Sequence, residues 1–187
     1  LHALLKTIGL TYGFDSGFDS GLSTGFNKVN LVGMSLGGEV AVDFAISYPD
    51  IVNRIVLISP SLGGYKSTVD WNVQAREVGI EQAKRNWQNH KVFGSLSKSP
   101  EVKSDIEKIL LGYSGWHWLN NDPRQKLTPD AKDRLAELKM PITVAVGQND
   151  LDYYHQISEY ILKKVPQAKS VIIPSAGHLA NLEAQEE

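Results

Sequence analysis

Apolar and polar positions along the chain switch between two periods, and the switches mark its elements. Lys28-Val29-Asn30-Leu31-Val32-Gly33 is short and β-branched and predicts a strand. From Gly37 to Tyr48 the apolar residues Val40, Ala41, Phe44, Ala45 and Tyr48 recur three and four apart, which is one face of a helix. Pro49-Asp50 ends that helix, and Ile55-Val56-Leu57-Ile58, apolar on both faces, predicts a fully buried strand. Strand, helix and strand in that order make a parallel βαβ unit. A second such unit is predicted late in the chain: a strand over 141–146, a helix with Tyr154, Ile157, Ile161 and Val165 on one stripe, and a strand over 170–173.

Between the two units, from about Gly63 to Met140, no strand pattern emerges and the stretch reads as helical. Ile80, Ala83 and Trp87 form one stripe; Val102, Ile106, Ile109 and Leu110 form another behind Ser99-Pro100, a good N-cap followed by a first-turn proline. Thr128-Pro129 predicts the opening of a third helix in the same way. Packing between helices is the ordinary use of such stripes. A helical insertion into a parallel sheet would nonetheless roof whatever site that sheet carries. Ahead of the first strand, Leu1, Leu4, Leu5 and Ile8 fall at helical spacing. A Gly/Ser-rich stretch from Thr11 to Asn27 then repeats Gly13-Phe14-Asp15-Ser16 as Gly17-Phe18-Asp19-Ser20, the signature of a surface loop. Asp15 and Asp19 supply too few oxygens for a calcium site.

Composition narrows the chemistry. The chain has 187 residues, 42% hydrophobic and 21% charged, with no cysteine, which excludes a disulfide scaffold, thiolate nucleophiles and sulfur metal sites. Its 19 Lys+Arg against 21 Asp+Glu give a formal charge of −2, so neither a nucleic-acid footprint nor a basic membrane patch is expected. No apolar run reaches the roughly 18–20 residues that cross a bilayer. The compartment is left open, with the cytoplasm as the default expectation. Nothing in the sequence speaks to oligomeric state.

Two stretches match Gly-x-Ser-x-Gly. The first, Gly21 to Gly25, sits inside the Gly/Ser-rich loop with neither a strand before it nor a helix after it, and is a product of composition. The second, Gly33-Met34-Ser35-Leu36-Gly37-Gly38, joins the predicted strand to the predicted helix, the context a nucleophile elbow requires. Glycines there let strand and helix approach while the Ser35 hydroxyl stands clear. A serine is a weak nucleophile until a positioned base takes its proton, so a histidine and an orienting carboxylate are needed elsewhere. Of the five histidines, His2 lies on the opening helix, His90 and His117 in the insertion and His155 within a late helix. Only His178 follows the last strand, in a loop after Pro174-Ser175-Ala176-Gly177. The acid is expected at the carboxyl end of the 141–146 strand, where Gly147-Gln148-Asn149-Asp150 offers Asp150, with Asp152 as its rival and an ordinary helix N-cap as the alternative use of either.

Together these residues resemble the α/β-hydrolase superfamily: Lys28 to Pro60 with its Gly-Met-Ser-Leu-Gly-Gly turn, Gly147 to Asp150, and Ala176-Gly177-His178-Leu179 with Asn181-Leu182-Glu183. The nearest likeness is to the small esterase, enol-lactone hydrolase and C–C bond hydrolase branches. The resemblance implies an α/β fold, a parallel sheet flanked by helices, with residues 1–63 and 140–187 forming the core and 64–139 an inserted helical cap. It implies Ser35 as nucleophile, Asp150 as acid and His178 as base, with the Leu36 N–H in the oxyanion hole. Branches that use an aspartate nucleophile fit poorly, because position 35 is serine. The implied substrate is a small molecule with an ester, lactone or related acyl or C–C bond; Met34, Trp116 and Trp118 are candidate substrate contacts, and no cofactor or metal is implied. The aromatic run Tyr113 to Trp118 serves equally well as the cap's own core. The superfamily places further strands and a His-Gly oxyanion turn ahead of the nucleophile, where this sequence has only Leu1 to Lys28, and a final helix after its histidine. The expectation is therefore a partial chain, incomplete at both ends. A hydrolase-like binding protein that holds a small ligand without turnover is the alternative.

Overall fold

A computed structural model of the protein describes residues 28–67, 69–98, 100–121, 123 and 125–185. The predicted opening helix, the tandem repeat and the Gly21 to Gly25 match lie outside these residues. The two βαβ units form as the periodicity predicts. Strand β1 (Val29–Met34) leads into helix α1 (Leu36–Ser47), a 3-10 turn over Pro49–Ile51 and strand β2 (Val52–Ile58). Helices α2 (Trp71–Val78), α3 (Ile80–Gln88), α4 (Pro100–Gly112) and the short α5 (Trp116–Leu119) follow, then α6 (Ala131–Arg134). The second unit is β3 (Ile142–Gly147), α7 (Asp152–Lys164) and β4 (Lys169–Ile173), and the one-turn helix α8 (Ala180–Glu183) comes last.

The four strands are parallel and lie in the order β1-β2-β3-β4. Val32 pairs with Val56, Val56 with Thr143 and Thr143 with Lys169, so the carboxyl ends of β1, β3 and β4 open onto one edge. On one face, Ile55, Leu57, Ile142 and Val144 bury against Ala41, Val42 and Ala45 of α1 and Ile157 and Ile161 of α7. β2 departs from the expectation of burial on both sides: Ile55 and Leu57 are buried, but Val56 and Ile58 are half-buried and Arg54 is exposed. The reason lies on the second face, which among the described residues leaves Val32 70% and Val171 44% exposed.

The insertion holds two helices that the pattern did not predict, α2 and the one-turn α5. α2 buries only Ala75, so it carries no apolar stripe; it is started instead by Asp70, whose carboxylate accepts the Asn72 and Val73 N–H groups. α3 and α4 coincide with the predicted stripes. The third predicted helix shrinks to α6 and a 3-10 turn over Leu135–Glu137. Leu127, Ala131, Leu135 and Leu138 pack into the α/β core, so the insertion rejoins the core before Lys139. The rest of it is built around rings: Trp71 contacts Trp87 at 4.8 Å, His90 at 5.5 Å and Trp118 at 5.7 Å between centroids, and Trp118 meets Tyr113 at 5.2 Å.

Candidate active site

Ser35 sits between β1 and α1 with φ 50° and ψ −119°, a backbone conformation that non-glycine residues rarely adopt. Backbone bonds hold it there: its N–H donates to the Ile58 carbonyl at 3.0 Å, and its own carbonyl accepts from Gly38 and Ser61, both at 2.9 Å, and from Glu39 at 3.4 Å. The glycines divide their work unequally. A Cβ on Gly33 would lie 2.3 Å from the Gly37 carbonyl oxygen and one on Gly38 would lie 2.7 Å from Pro60 Cβ, whereas one on Gly37 would meet nothing within 4 Å. Close approach of helix to strand therefore depends on Gly33 and Gly38. The Leu36 N–H, at the first position of α1, is one of the donors that a helix start leaves unpaired. Met34, the last residue of β1, is half-buried beside it.

β3 ends at Gly147, and the chain turns through Gln148 and Asn149 to Asp150 at the mouth of α7. The loop after β4 is fastened to this turn. Gln148 N–H donates to the Ile173 carbonyl at 2.9 Å, Asn149 N–H to that of Ala176 at 2.8 Å, and the Asn149 side chain to that of Ser175 at 3.0 Å. From the other side Glu183 accepts the Gly177 N–H at 2.8 Å and the Leu179 N–H at 3.1 Å, bracketing the histidine between them. The result is a buried pair: His178 Nδ1 lies 3.1 Å from Asp150 Oδ2, with the aspartate side chain fully enclosed. Asp150 Oδ1 accepts the Leu151 N–H at 2.7 Å, so both carboxylate oxygens are engaged. The rival Asp152 is exposed at the first position of α7. The geometry thus brings together Asp150 and His178 and leaves Asp152 outside.

One further residue touches this pair, and sequence reasoning passed over it. Tyr154, read as part of the apolar stripe of α7, instead stacks on His178 with ring centroids 4.1 Å apart and planes at 29°. Burial pushes its phenol above the ordinary value, the Ser35 hydroxyl works against that rise, and the Asp150 charge adds to it. A tyrosine in an otherwise aliphatic stripe, on the first turn of a helix that starts at the sheet's carboxyl edge, was the available signal. His90 belongs to the insertion, where its ring stacks on Trp87 at 5.5 Å and its Nδ1 accepts the Val92 N–H at 3.2 Å. Burial, then the charge of Lys91 and then that of His178, push its pKa below the usual imidazole value. Beside His90 a cavity of about 400 Å³ is walled by Phe93, Ile106 and Leu110 together with Lys91, Lys103 and Glu107.

The aromatic candidates separate. Trp118 is packed among Trp71, Trp87 and Tyr113 within the insertion, while Trp116 is 46% exposed with its ring edge on His117. Among the described residues no group of three or more His, Asp or Glu is placed to hold a metal ion. No helix among them is long and apolar enough to cross a membrane.

A parallel sheet with its helices, a strained serine at a strand-to-helix turn and a buried Asp–His pair at the same edge define the α/β-hydrolase arrangement. The chain matches the α/β-hydrolase fold family over residues 22–185 and belongs to it. It is 27% identical over 175 residues to a 2-hydroxy-6-oxononadienedioate/2-hydroxy-6-oxononatrienedioate hydrolase of Burkholderia vietnamiensis, covering 87% of this chain and 60% of that one. It is 25% identical over 171 residues to the carboxylesterase YbfK of Bacillus subtilis, covering 87% of this chain and 55% of the relative. Among solved structures it resembles a thermophilic esterase from Thermogutta terrifontis, with TM-score 0.71 and 25% identity over 98% of this chain and 64% of that one. The chain thus spans about 60% of the length of the first of these relatives.

Proposed function

We propose that the protein is a serine hydrolase that cleaves an ester, lactone or related acyl or C–C bond of a small molecule through an acyl-enzyme. The observation that carries this reading is the enclosed Asp150–His178 pair, 3.1 Å apart, at the sheet edge where Ser35 is held at positive φ. Ser35 Oγ attacks the carbonyl carbon while His178 Nε2 takes its proton; Asp150, bound to Nδ1, holds the ring in the tautomer that leaves Nε2 free. The Leu36 N–H points its dipole at the oxyanion, a contact of a kind whose removal costs about 2.7–4 kcal/mol of transition-state stabilisation. His178 then protonates the leaving group, and water releases the acyl group from Ser35 by the same steps in reverse order. The names of the relatives, a C–C bond hydrolase and a carboxylesterase, support the substrate class.

Labelling with a fluorophosphonate tests the assignment. Wild type is expected to take one phosphonyl group on Ser35 and Ser35→Ala none, with aryl-ester turnover in the variant reduced by about 10⁴-fold or more. Equal labelling of the two proteins would remove Ser35 from the mechanism.

A further inference from the structure

Among the described residues three non-glycine positions have positive φ, and all are serines just past the carboxyl end of a strand: Ser35 after β1 at 50°, Ser59 after β2 at 44° and Ser175 after β4 at 60°. Ser35 is the proposed nucleophile, and Ser175 belongs to the loop that carries His178. Ser59 takes no part in the mechanism, yet it is fully buried, and its hydroxyl has no partner among the described residues. Positive φ is costly for any residue with a Cβ and persists only where the surroundings over-determine it. The backbone bonds around Ser59 show what this strain accomplishes. Ser59 N–H donates to the Ala145 carbonyl of β3 at 2.8 Å, while the carbonyl just before it, that of Ile58, accepts the Ser35 N–H on the β1 side at 3.0 Å.

In an extended strand successive residues turn their N–H groups to opposite sides, so Ser61, two residues beyond Ser59, would also face β3. Pro60 between them has no N–H to give. Ser61 N–H instead donates to the Ser35 carbonyl at 2.9 Å, back on the β1 side. The positive φ at Ser59 stands where the chain makes that reversal. The same turn sets Pro60 against the first turn of α1, where a Cβ on Gly38 would lie 2.7 Å from Pro60 Cβ. Residues 58–61 therefore close on Ser35 from both sides, with one bond to its N–H and one to its carbonyl. The geometry points to Ser59 as a positioning residue for the nucleophile: its strained backbone clasps residues 58–61 around Ser35 and so holds Ser35 at its own positive φ. This rests on Ser35 being the nucleophile proposed above. Ser59 acts through its backbone rather than its hydroxyl. A looser clasp lowers the fraction of molecules in which Ser35 Oγ is presented for attack, which changes kcat and leaves substrate binding alone.

Substitutions at Ser59 sort by whether they accept positive φ. Ser59→Gly adopts it freely, Ser59→Ala keeps the Cβ and loses the hydroxyl, and Ser59→Thr keeps the hydroxyl but adds a β-branch that resists it. The readouts are the rate at which a fluorophosphonate labels Ser35, kcat and KM for an aryl ester, and amide exchange at Ser61. Ser59→Thr is expected to fall about tenfold below Ser59→Gly in labelling rate and in kcat, the scale of one hydrogen bond, with KM equal in the two. Its Ser61 amide should exchange faster, and Ser59→Ala should stay with Ser59→Gly. Equal labelling of Ser59→Thr and Ser59→Gly would overturn the proposal, as would a loss confined to KM, or a loss in Ser59→Ala as large as that in Ser59→Thr. Should Ser59→Thr fail to fold, the other two variants decide. Ser59→Gly is expected to unfold at a higher urea concentration than Ser59→Ala with Ser61 protected in both, and the reverse order would overturn the strained turn. Equal labelling of wild type and Ser35→Ala would instead overturn the nucleophile, whatever the variants at position 59 show.

Discussion

A methyl group on Gly147 would sit 2.1 Å from the Gly177 carbonyl oxygen and 2.6 Å from that of Ala176. Both atoms are backbone, so nothing can swing aside, and the loop carrying His178 would have to lift from the end of β3. Gly147→Ala is therefore expected to cost about 1–3 kcal/mol, the range for overpacking, and to lower turnover through a displaced histidine. Gly37 is the internal control. It lies in the first turn of α1, where an added Cβ would find nothing within 4 Å, so Gly37→Ala should be neutral or stabilise by up to about 1 kcal/mol. Denaturation curves of the two variants check the pair; equal losses would contradict the contacts at Gly147. From the sequence, Gly33, Gly37 and Gly38 look alike as members of one motif. Only the position of Pro60, which arrives from the end of β2, distinguishes Gly38 from Gly37, and no local pattern encodes that meeting. The pairing of Asp150 with His178 was foreseeable because those residue types stand in the required order after Ser35. The contact of Tyr154 with His178 was not, because a tyrosine at helical spacing looks the same whether it faces a core or an imidazole.

At the level of elements, the strands and the helices α1, α3, α4 and α7 follow from periodicity, with boundaries displaced by a residue or a few. The helices that escaped are those held by something other than an apolar stripe: α2, started by the Asp70 carboxylate, and the single turns α5 and α8. α8 nevertheless matters to the site through Glu183. Its two carboxylate oxygens take the N–H groups on either side of His178, at 2.8 and 3.1 Å, and so tie a one-turn helix to the histidine loop. Hydrogen bonds to a charged acceptor contribute about 1.5–3 kcal/mol each when buried, and partial exposure of Glu183 reduces that. Glu183→Ala should speed amide exchange at Gly177 and Leu179 and lower turnover about tenfold with little change in KM, since the loop positions the base rather than the substrate. Glu183→Gln, which retains an acceptor oxygen, should fall between the two. Unchanged exchange at both amides would show that the loop is held by its contacts with Gln148 and Asn149 alone.

Across the whole molecule, the proposed nucleophile comes from the first βαβ unit and the proposed acid and base from the second, with β2 pairing with β3 between them. The insertion carries His90, whose partly buried imidazole gives the protein a pH dependence of definite sign. Burial first, then the charges of Lys91 and His178, hold the folded-state pKa of His90 below its ordinary value of 6.5. The unfolded chain therefore takes up this proton before the folded one does. The stability associated with a neutral His90 is fully present above 6.5 and is lost as the pH falls through that value toward the lower folded-state pKa. His90→Gln removes the titration while leaving an oxygen that can accept the Val92 N–H, so the stacked rings of the insertion keep their anchor. Urea denaturation between about pH 7.5 and 5 should show wild type losing stability more steeply than His90→Gln, the difference opening only below the unfolded-state pKa. Parallel curves over that range would mean that folding leaves the protonation of His90 unchanged, and that its burial among Trp71, Trp87 and Val92 does not disfavour the imidazolium.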